Sequence, residues 1–492
     1  MDDFDVVVVG GGINGAGLAR DLAGRGWRVL LAEADDLAAH TSSSSTKLVH
    51  GGLRYLETYE FSLVAKALRE REVLLRSAPH LIQPLSFVLP HAPHLRPAWM
   101  IRLGLFLYDH LAKRELLPGS RGLTLTGSVY GAPLKPEFKH GFVYTDGWAD
   151  DARLVVANAR DAHARGAEVL TRCAVIEARR GVDHWQLGLQ NGRRLRARAL
   201  VNAAGPWAEV FLRGQGLPAR GLRLVKGSHI VVDQRFTHDH AYLFQNPDGR
   251  IVFAIPYEGR FTLIGTTDVE LPEHEAPPTR AKITAEEVEY LCEQASRYLV
   301  RPVTPADVRW TYAGVRPLLD EGGSASSVTR DYLLEADAAG GAPLLNVWGG
   351  KLTTYRKLAE DGASQLGGLL GDARKPWTAT ARLPGGDLGR HGVDIAGFTA
   401  ALQARHAGQP PATVARLARA YGSYAEALLA SPGREIAPGL GDAELRHLAD
   451  NEWARSAEDV LWRRSKLGLH YTAAQRAAVA AWYGEVAQVE NR

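Results

Sequence analysis

What is scarce in this 492-residue chain narrows its class before any motif is read. It has only two cysteines, Cys173 and Cys292. No disulfide framework holds it together, and no CxxC spacing offers a redox or metal pair. There is no HExxH or comparable ligand cluster, so no metal is expected. No apolar run is long and uninterrupted enough to span a bilayer. The amino terminus, MDDFDVVVVGGG, is acidic and enters a strand at once, unlike a signal peptide with its basic start and apolar centre. There is no internal repeat and no extended low-complexity tract. Net charge is +3, too slight an excess to argue for nucleic acid as a partner. It is compatible with anionic substrates or an anionic membrane surface. Hydrophobic content of 46% and charged content of 23% are ordinary for a globular protein, and the length allows two or three domains.

What is present begins at the amino terminus. DVVVV reads as a short buried strand, GGGINGAG follows it, LARDLAGRGWR reads as a helix, and RVLLAE is a second strand ending on Glu33. Gly10 permits a tight turn, Gly12 lets a pyrophosphate approach the backbone, and Gly15 lets the helix pack close to the strand. Asn14 falls in the same turn. The helix N-terminus offers free N–H groups to phosphates, and Glu33 can accept from ribose hydroxyls. Together these define a dinucleotide-binding βαβ unit. Two later stretches favour FAD over NAD. ARALVNAAGPWA ends a strand in a small-residue turn at Gly205 and Trp207. PLLNVWGGKLTTYRKL gives a strand, the Gly349-Gly350 turn, Leu352, Thr353 and then a helix. A helix N-terminus placed there can stabilise the negative charge of a reduced flavin.

Between these lies TSSSSTKLVHGGLRYLE. Thr41, Ser45, Lys47 and His50 are candidate donors to the cofactor. Gly51-Gly52 would let backbone lie against a flat ring, and Arg54 and Tyr55 could reach a substrate anion. The plain alternative is a Ser-rich connector leading into the next helix. The motifs GGGINGAG, SSSSTKLVHGGLRYLE, REVLLRSAPHL, KGSHIVV, IGTTDVE, YAGVRPLL, TRDY and GGKLTTYRKLAE are together similar to those of the FAD-dependent glycerol-3-phosphate dehydrogenases of the respiratory, quinone-reducing type. The resemblance runs from residue 5 to about residue 470.

It implies non-covalently bound FAD, glycerol 3-phosphate as substrate and a membrane quinone as electron acceptor. Hydride would leave the substrate's central carbon for the flavin, a base would take the hydroxyl proton, and dihydroxyacetone phosphate would leave. Four basic residues stand in turn-like contexts: Arg54, Arg316, Arg330 and Lys351. A phosphate monoester carries nearly two charges, and arginine offers it bidentate hydrogen bonds. Arg316 and Lys351 are assigned to catalysis, and Arg54, Tyr55, Thr266, Thr267 and Arg330 to substrate binding. His229 is the candidate base, because an imidazole titrates near working pH. His50 is its rival.

The expected fold is α/β. A Rossmann-like FAD domain (1–80, 146–221 and 311–382) is interleaved with an antiparallel-sheet substrate domain (81–145 and 222–310). A C-terminal helical domain (390–492) follows, whose role is left open between partner binding and homodimer formation. Segment 94–114, HLRPAWMIRLGLFLYDHLAKR, is too short and too charged to span a membrane. Its aromatic and basic residues suit the bilayer surface, which would place the protein peripherally on the cytoplasmic side of the cell membrane. The rival for this segment is an ordinary core helix. The alternatives for function are a glycerol-3-phosphate oxidase using molecular oxygen, an amino-acid oxidase of the same flavin fold, and a nucleotide-binding scaffold with a dead site.

Overall fold

The computed structural model describes residues 2–490 apart from 58, 93–94, 273–276, 278–279 and 320–330; the side chains of 54 and 486–490 also lie outside the described residues. Arg330 and the side chain of Arg54 therefore fall outside the described set.

Two sheets face each other. The first holds β1 (Asp2–Val9), β2 (Val29–Ala32), β7 (Glu168–Leu170), β8 (Val175–Arg180), β9 (Trp185–Leu189), β10 (Arg194–Asn202), β17 (Leu333–Asp337) and β18 (Leu344–Trp348). Its order is β17-β18-β10-β1-β2-β7, with β18, β10, β1, β2 and β7 parallel. The chain leaves β1 toward β2 and later returns to the other side of β1 as β10. That reversal makes the carboxyl ends of β1 and β10 a topological switch point, where open α/β sheets bind their ligands. The buried Val6–Val9 run explains why β1 sits centrally. Helices α1 (Ile13–Gly24), α4 (Asp151–Ala164) and α7 (Tyr355–Leu369) cover one face.

The second sheet holds β3 (Leu48–Val49), β4 (Ile82–His91), β5 (Arg121–Thr124), β6 (His140–Ala149), β11 (Leu222–Asp233), β12 (Ala241–Gln245), β13 (Ile251–Tyr257), β14 (Phe261–Gly265), β15 (Val269–Glu270) and β16 (Val308–Leu319). Its order is β15-β11-β14-β13-β12-β4-β6-β3, with β16 also on β11 and β5 on β6. It is antiparallel except where β12 pairs with β4. The expected boundaries at 146 and 311 are displaced, because β6 runs to Ala149 and β16 covers 308–319 within this second sheet. Likewise Leu48-Val49, expected in the FAD domain, pairs with β6. The physical reason is ladder continuity: β6 and β16 are each hydrogen-bonded along nearly their whole length to second-sheet partners.

Helices α2 (Phe61–Ser77), α3 (Ala98–His110) and α6 (Ala285–Ser296) belong to this half. On α3 only Leu105 and Tyr108 are buried, while Trp99 is 66%, Leu103 50% and Phe106 49% exposed. It is not a core helix. Its basic neighbours are largely spent internally: Arg102 donates to Ser120, Arg114 pairs with Asp109, and Lys113 pairs with Glu115. No helix among the described residues is long and apolar enough to cross a membrane.

The last hundred residues are helical and have their own apolar core, including Leu402, Val414, Leu417 and Leu448. Buried ion pairs fasten them to the first half. Asp36 meets Arg463 (2.6 Å) and Arg464 (2.7 Å), Arg153 pairs with Glu452, and Lys466 lies 3.0 Å from Asp150. Removing one partner of such a pair strands a buried charge. The linker that leads into these residues, 383–392, is also tied down: Leu383 N donates to Ser77 O and Ser423 N to Gly385 O.

His80 sits under that linker. Its burial, with Arg153 and Arg160 nearby, pushes the imidazole pKa from 6.5 down to about 3. The unfolded chain therefore binds the extra proton as pH falls. This contribution is complete above about pH 6.5 and is lost toward pH 3, at about 1.4 kcal/mol per pH unit. Denaturant titrations of His80→Asn should show a pH slope shallower than wild type by about one proton between roughly pH 6 and pH 4. Parallel slopes would remove His80 from the acid lability of the fold.

Candidate active site

One cavity of about 1780 Å³ lies between the two sheets. Its roof is the switch point. Gly12 stands at the start of α1 with no side chain of its own to cap it, and no acid occupies the first turn. The helix start presents its positive end to the cavity. Gly10 has φ +104°, and a Cβ on Gly15 would stand 1.9 Å from the Gly10 carbonyl oxygen, so only glycine permits this helix-to-strand approach. Glu33 accepts from Gly11 N (2.5 Å) and Asp35 N (2.8 Å), and its burial raises its carboxyl pKa. Asn14 Nδ2 donates to Gly349 O (3.1 Å), while Asn14 Oδ1 is buried without a hydrogen-bond partner. Gly205, Trp207, Gly349, Gly350, Leu352 and Thr353 also line the cavity. A glycine-led helix start with no acid in its first turn, an acid at the end of β2 and an orphaned buried oxygen fit an FAD, whose pyrophosphate the α1 turn would hold.

The Ser-rich loop is partly turned inward. Thr41 and Ser45 line the cavity, but Thr41 Oγ1 donates to Val315 O (2.7 Å) and Ser45 Oγ to Asp151 (2.7 Å). Lys47, expected at the cofactor, is not at the cavity. Its Nζ lies 2.7 Å from Asp151 Oδ1 and donates to Ser43 O. A buried ammonium needs a carboxylate, and Asp151 supplies it. Ser42, whose Oγ accepts from Ile13 N at 3.0 Å, anchors the loop on α1 instead. His50 lines the cavity, and burial lowers its pKa.

The floor is formed by β11, β14 and β16. His229 is 2% exposed, its Nε2 is 3.0 Å from Thr46 Oγ1, and its Nδ1 has no partner. Its ring stacks on Tyr312 at 4.7 Å. Burial, then Lys47 and Arg316, hold its pKa well below 6.5, so it is neutral. Arg316 lines the cavity, pairs with Asp268 at 2.7 Å and donates to Thr267 O at 3.0 Å. Two glycines clear the space: a Cβ on Gly227 would stand 2.3 Å from Arg316 Nη2, and one on Gly265 2.1 Å from the His229 ring. Lys351 Nζ lies 4.3 Å from the Tyr55 ring centre, and both line the cavity.

Thr266 also lines it. Thr267, expected to touch substrate, does not: it is buried, donates to Glu287 Oε1 (2.8 Å) and accepts from Ser228 N (2.9 Å). Successive residues at a strand end point opposite ways, so only one of the pair can face the cavity. Sequence reasoning missed Asp268, Asp151, Glu287 and Tyr312. Asp268 follows IGTT and Tyr312 begins YAGVRPLL, so both stood within motifs already singled out. Asp151 and Glu287 carried no local signal.

The C-terminal domain reaches this floor from behind. Trp462 stacks on Trp310 (4.9 Å), which contacts Tyr312 (5.1 Å), which stacks on His229.

Residues 5–356 match the family described as FAD dependent oxidoreductase, and residues 377–490 match the C-terminal domain of alpha-glycerophosphate oxidase. The chain is 51% identical to a glycerol-3-phosphate dehydrogenase of Pseudomonas aeruginosa, over 96% of this chain and 93% of that one. It is 48% identical to the aerobic glycerol-3-phosphate dehydrogenase of Escherichia coli K12, over 99% of each. It is also 47% identical to the D-erythritol 1-phosphate dehydrogenase of Brucella abortus, over 97% of each. Among solved structures, the glycerol-3-phosphate dehydrogenase of Bacillus halodurans complexed with FAD superposes with a TM-score of 0.76 at 30% identity, over 98% of this chain and 90% of that one. The chain belongs to the FAD-dependent oxidoreductases and, within them, to the family of the FAD-dependent glycerol-3-phosphate dehydrogenases. FAD is its cofactor.

Gly15→Ala drives a methyl group into backbone rather than into a flexible side chain. The purified variant should carry little or no flavin, read as the ratio of flavin to protein absorbance. A fully yellow Gly15→Ala protein would overturn the cradle described above.

Proposed function

We propose that the protein oxidises sn-glycerol 3-phosphate to dihydroxyacetone phosphate and passes the electrons to a membrane quinone. The observation that carries this reading is that neutral His229, with Arg316 near it on the floor, shares one cavity with Lys351 and the FAD cradle. When bound, FAD supplies the hydride acceptor. Arg316 and Lys351 hold the phosphate, joined by Arg54 and Arg330, and Thr266 and Tyr55 orient the glycerol. His229 takes the hydroxyl proton on a nitrogen that is already unprotonated. The phosphate assists it: the dianion offsets the charge of Arg316, one of the groups that hold the imidazole pKa down, so His229 becomes a better base as substrate binds.

The quinone reading is supported by α3, whose large apolar side chains stand exposed together rather than singly. With its basic neighbours paired off, the helix would hold the protein at the bilayer by apolar burial more than by charge. Its attachment should then resist salt. Vesicle co-sedimentation should bind wild type at low and at high ionic strength and release a Leu103→Glu, Phe106→Glu variant. Equal binding by both proteins would place the contact elsewhere.

The reaction itself is tested by anaerobic bleaching of the flavin absorbance on adding glycerol 3-phosphate, followed by a soluble quinone or by air. Fast recovery with quinone and slow recovery in air is expected. Fast recovery in air would make the protein an oxidase. D-Erythritol 1-phosphate belongs in the same experiment, because a relative named for it is 47% identical. Preferential bleaching by that longer polyol phosphate would move the substrate assignment.

A further inference from the structure

Asn246 stands in the tight connection between β12 and β13. Its backbone is satisfied locally: Asn246 N donates to Arg250 O at 2.9 Å, and its carbonyl accepts from Gly249 N at 3.0 Å. Its side chain is not. The residue is 5% exposed, it lines the large cavity, and neither Nδ2 nor Oδ1 has a hydrogen-bond partner. A buried primary amide with both ends unmatched costs stability, and native proteins seldom keep one without a use.

The surroundings indicate the use. The cavity floor changes character along the second sheet. At β11, β14 and β16 it is polar, with His229, Thr266 and Arg316. At β4, β12 and β13 it is mainly apolar, with Leu89, Leu243, Ile251 and Phe253, polar only at the turn where Gln245, Asp248 and Arg250 flank Asn246; Met100 and Ile101 of α3 line the same cavity. The apolar end thus shares one cavity with the flavin cradle and is walled by α3, whose Met100, Leu103 and Leu107 line the cavity and are also partly open to the surroundings. A glycerol phosphate has no reason to enter it. A flat apolar ring bearing an oxygen does.

We propose that this apolar compartment, with the Asn246 amide at its end, is the binding site for the ring of the quinone acceptor. The inference rests on the quinone reading above and deepens it. The amide suits both states of such a ring. The oxidised ring has carbonyl oxygens, which accept from Nδ2; the reduced ring has hydroxyls, which donate to Oδ1. Reduction adds two electrons and two protons. The electrons and one proton come from the reduced cofactor, and the second proton comes from solvent. Each state answers at least one end of the amide, whereas a purely apolar wall would favour neither oxygen.

The test separates the two half-reactions in flavin-loaded Asn246→Leu and Asn246→Asp. Wild type must first bleach with glycerol 3-phosphate and recover with a short-chain quinone; failure at either step overturns the underlying reading, and this site with it. In Asn246→Leu, bleaching should stay within about twofold of wild type. The melting temperature should hold or rise, because an unmatched amide has been removed. The quinone concentration that half-saturates recovery should rise about fivefold to tenfold, the loss of one neutral hydrogen bond. The dissociation constant of the quinone for the oxidised protein, read by fluorescence quenching, should rise in step. Asn246→Asp keeps the shape but loses the donor, and should weaken binding of the oxidised quinone in the same way. Wild-type values of both quinone constants in Asn246→Leu would overturn the proposal. So would equal loss of bleaching and recovery in a folded, flavin-loaded variant, since that would mark a general distortion.

Discussion

The structure depends on a steric constraint at one crossing. Helix α1 begins so close to β1 that a Cβ on Gly15 would overlap the Gly10 carbonyl. That closeness brings the helix start to the carboxyl ends of β1 and β10, where the strand order reverses. If the crossing were looser, the helix terminus would no longer face the cavity, and the roof over the catalytic floor would lose its hold on the dinucleotide. The same device recurs on the floor, where Gly227 and Gly265 make room for Arg316 and His229 over their own strands. Roof and floor are both shaped by side chains that are absent.

Electrostatics then gives the floor its chemistry. Cations lie at the floor and behind it, and they would be costly to bury alone. Lys47 is answered by Asp151, Arg316 by Asp268, and Lys466 by Asp150. His229 is given no such carboxylate and stays neutral. In the reaction proposed above, a base unprotonated at rest and strengthened by the arriving phosphate would tie proton removal to occupancy of the site. The C-terminal domain contributes here without lining the cavity. Its Lys466 neutralises Asp150 beside Asp151, and its Trp462 ends the aromatic stack that supports the imidazole. Because these links are buried ion pairs and ring contacts, the domain cannot shift without disturbing the floor.

The second sheet varies in composition along one continuous ladder. The side chains that line the cavity are polar at β11 and β16 and mainly apolar across β13, β12 and β4. Helix α3 closes the apolar side and leaves its outer face exposed, so one element would serve both as a cavity wall and as the surface against the bilayer.

Much of the roof was legible in the sequence because its determinants are local. The glycine spacing, the buried run of valines, Glu33 at the strand end and the Gly349-Gly350 turn are set within a few residues by sterics and backbone geometry. The family motifs likewise marked the cavity-lining stretches around His50, His229, Arg316 and Lys351. What the sequence could not settle was which member of each polar run faces the ligand. Lys47 and Thr267 sit in motifs rich in candidates but turn inward, because Asp151 and Glu287, far away in the chain, meet them in the fold. The domain boundaries read at 146 and 311 fall inside β6 and β16 for the same reason, since strand membership is decided by partners more than by local pattern. The sequence by itself determined the cofactor fold and the residue types of the site. Only the tertiary structure decided which side chains are spent on holding the protein together and which remain free, because hydrogen bonding and burial are properties of neighbours distant in the chain.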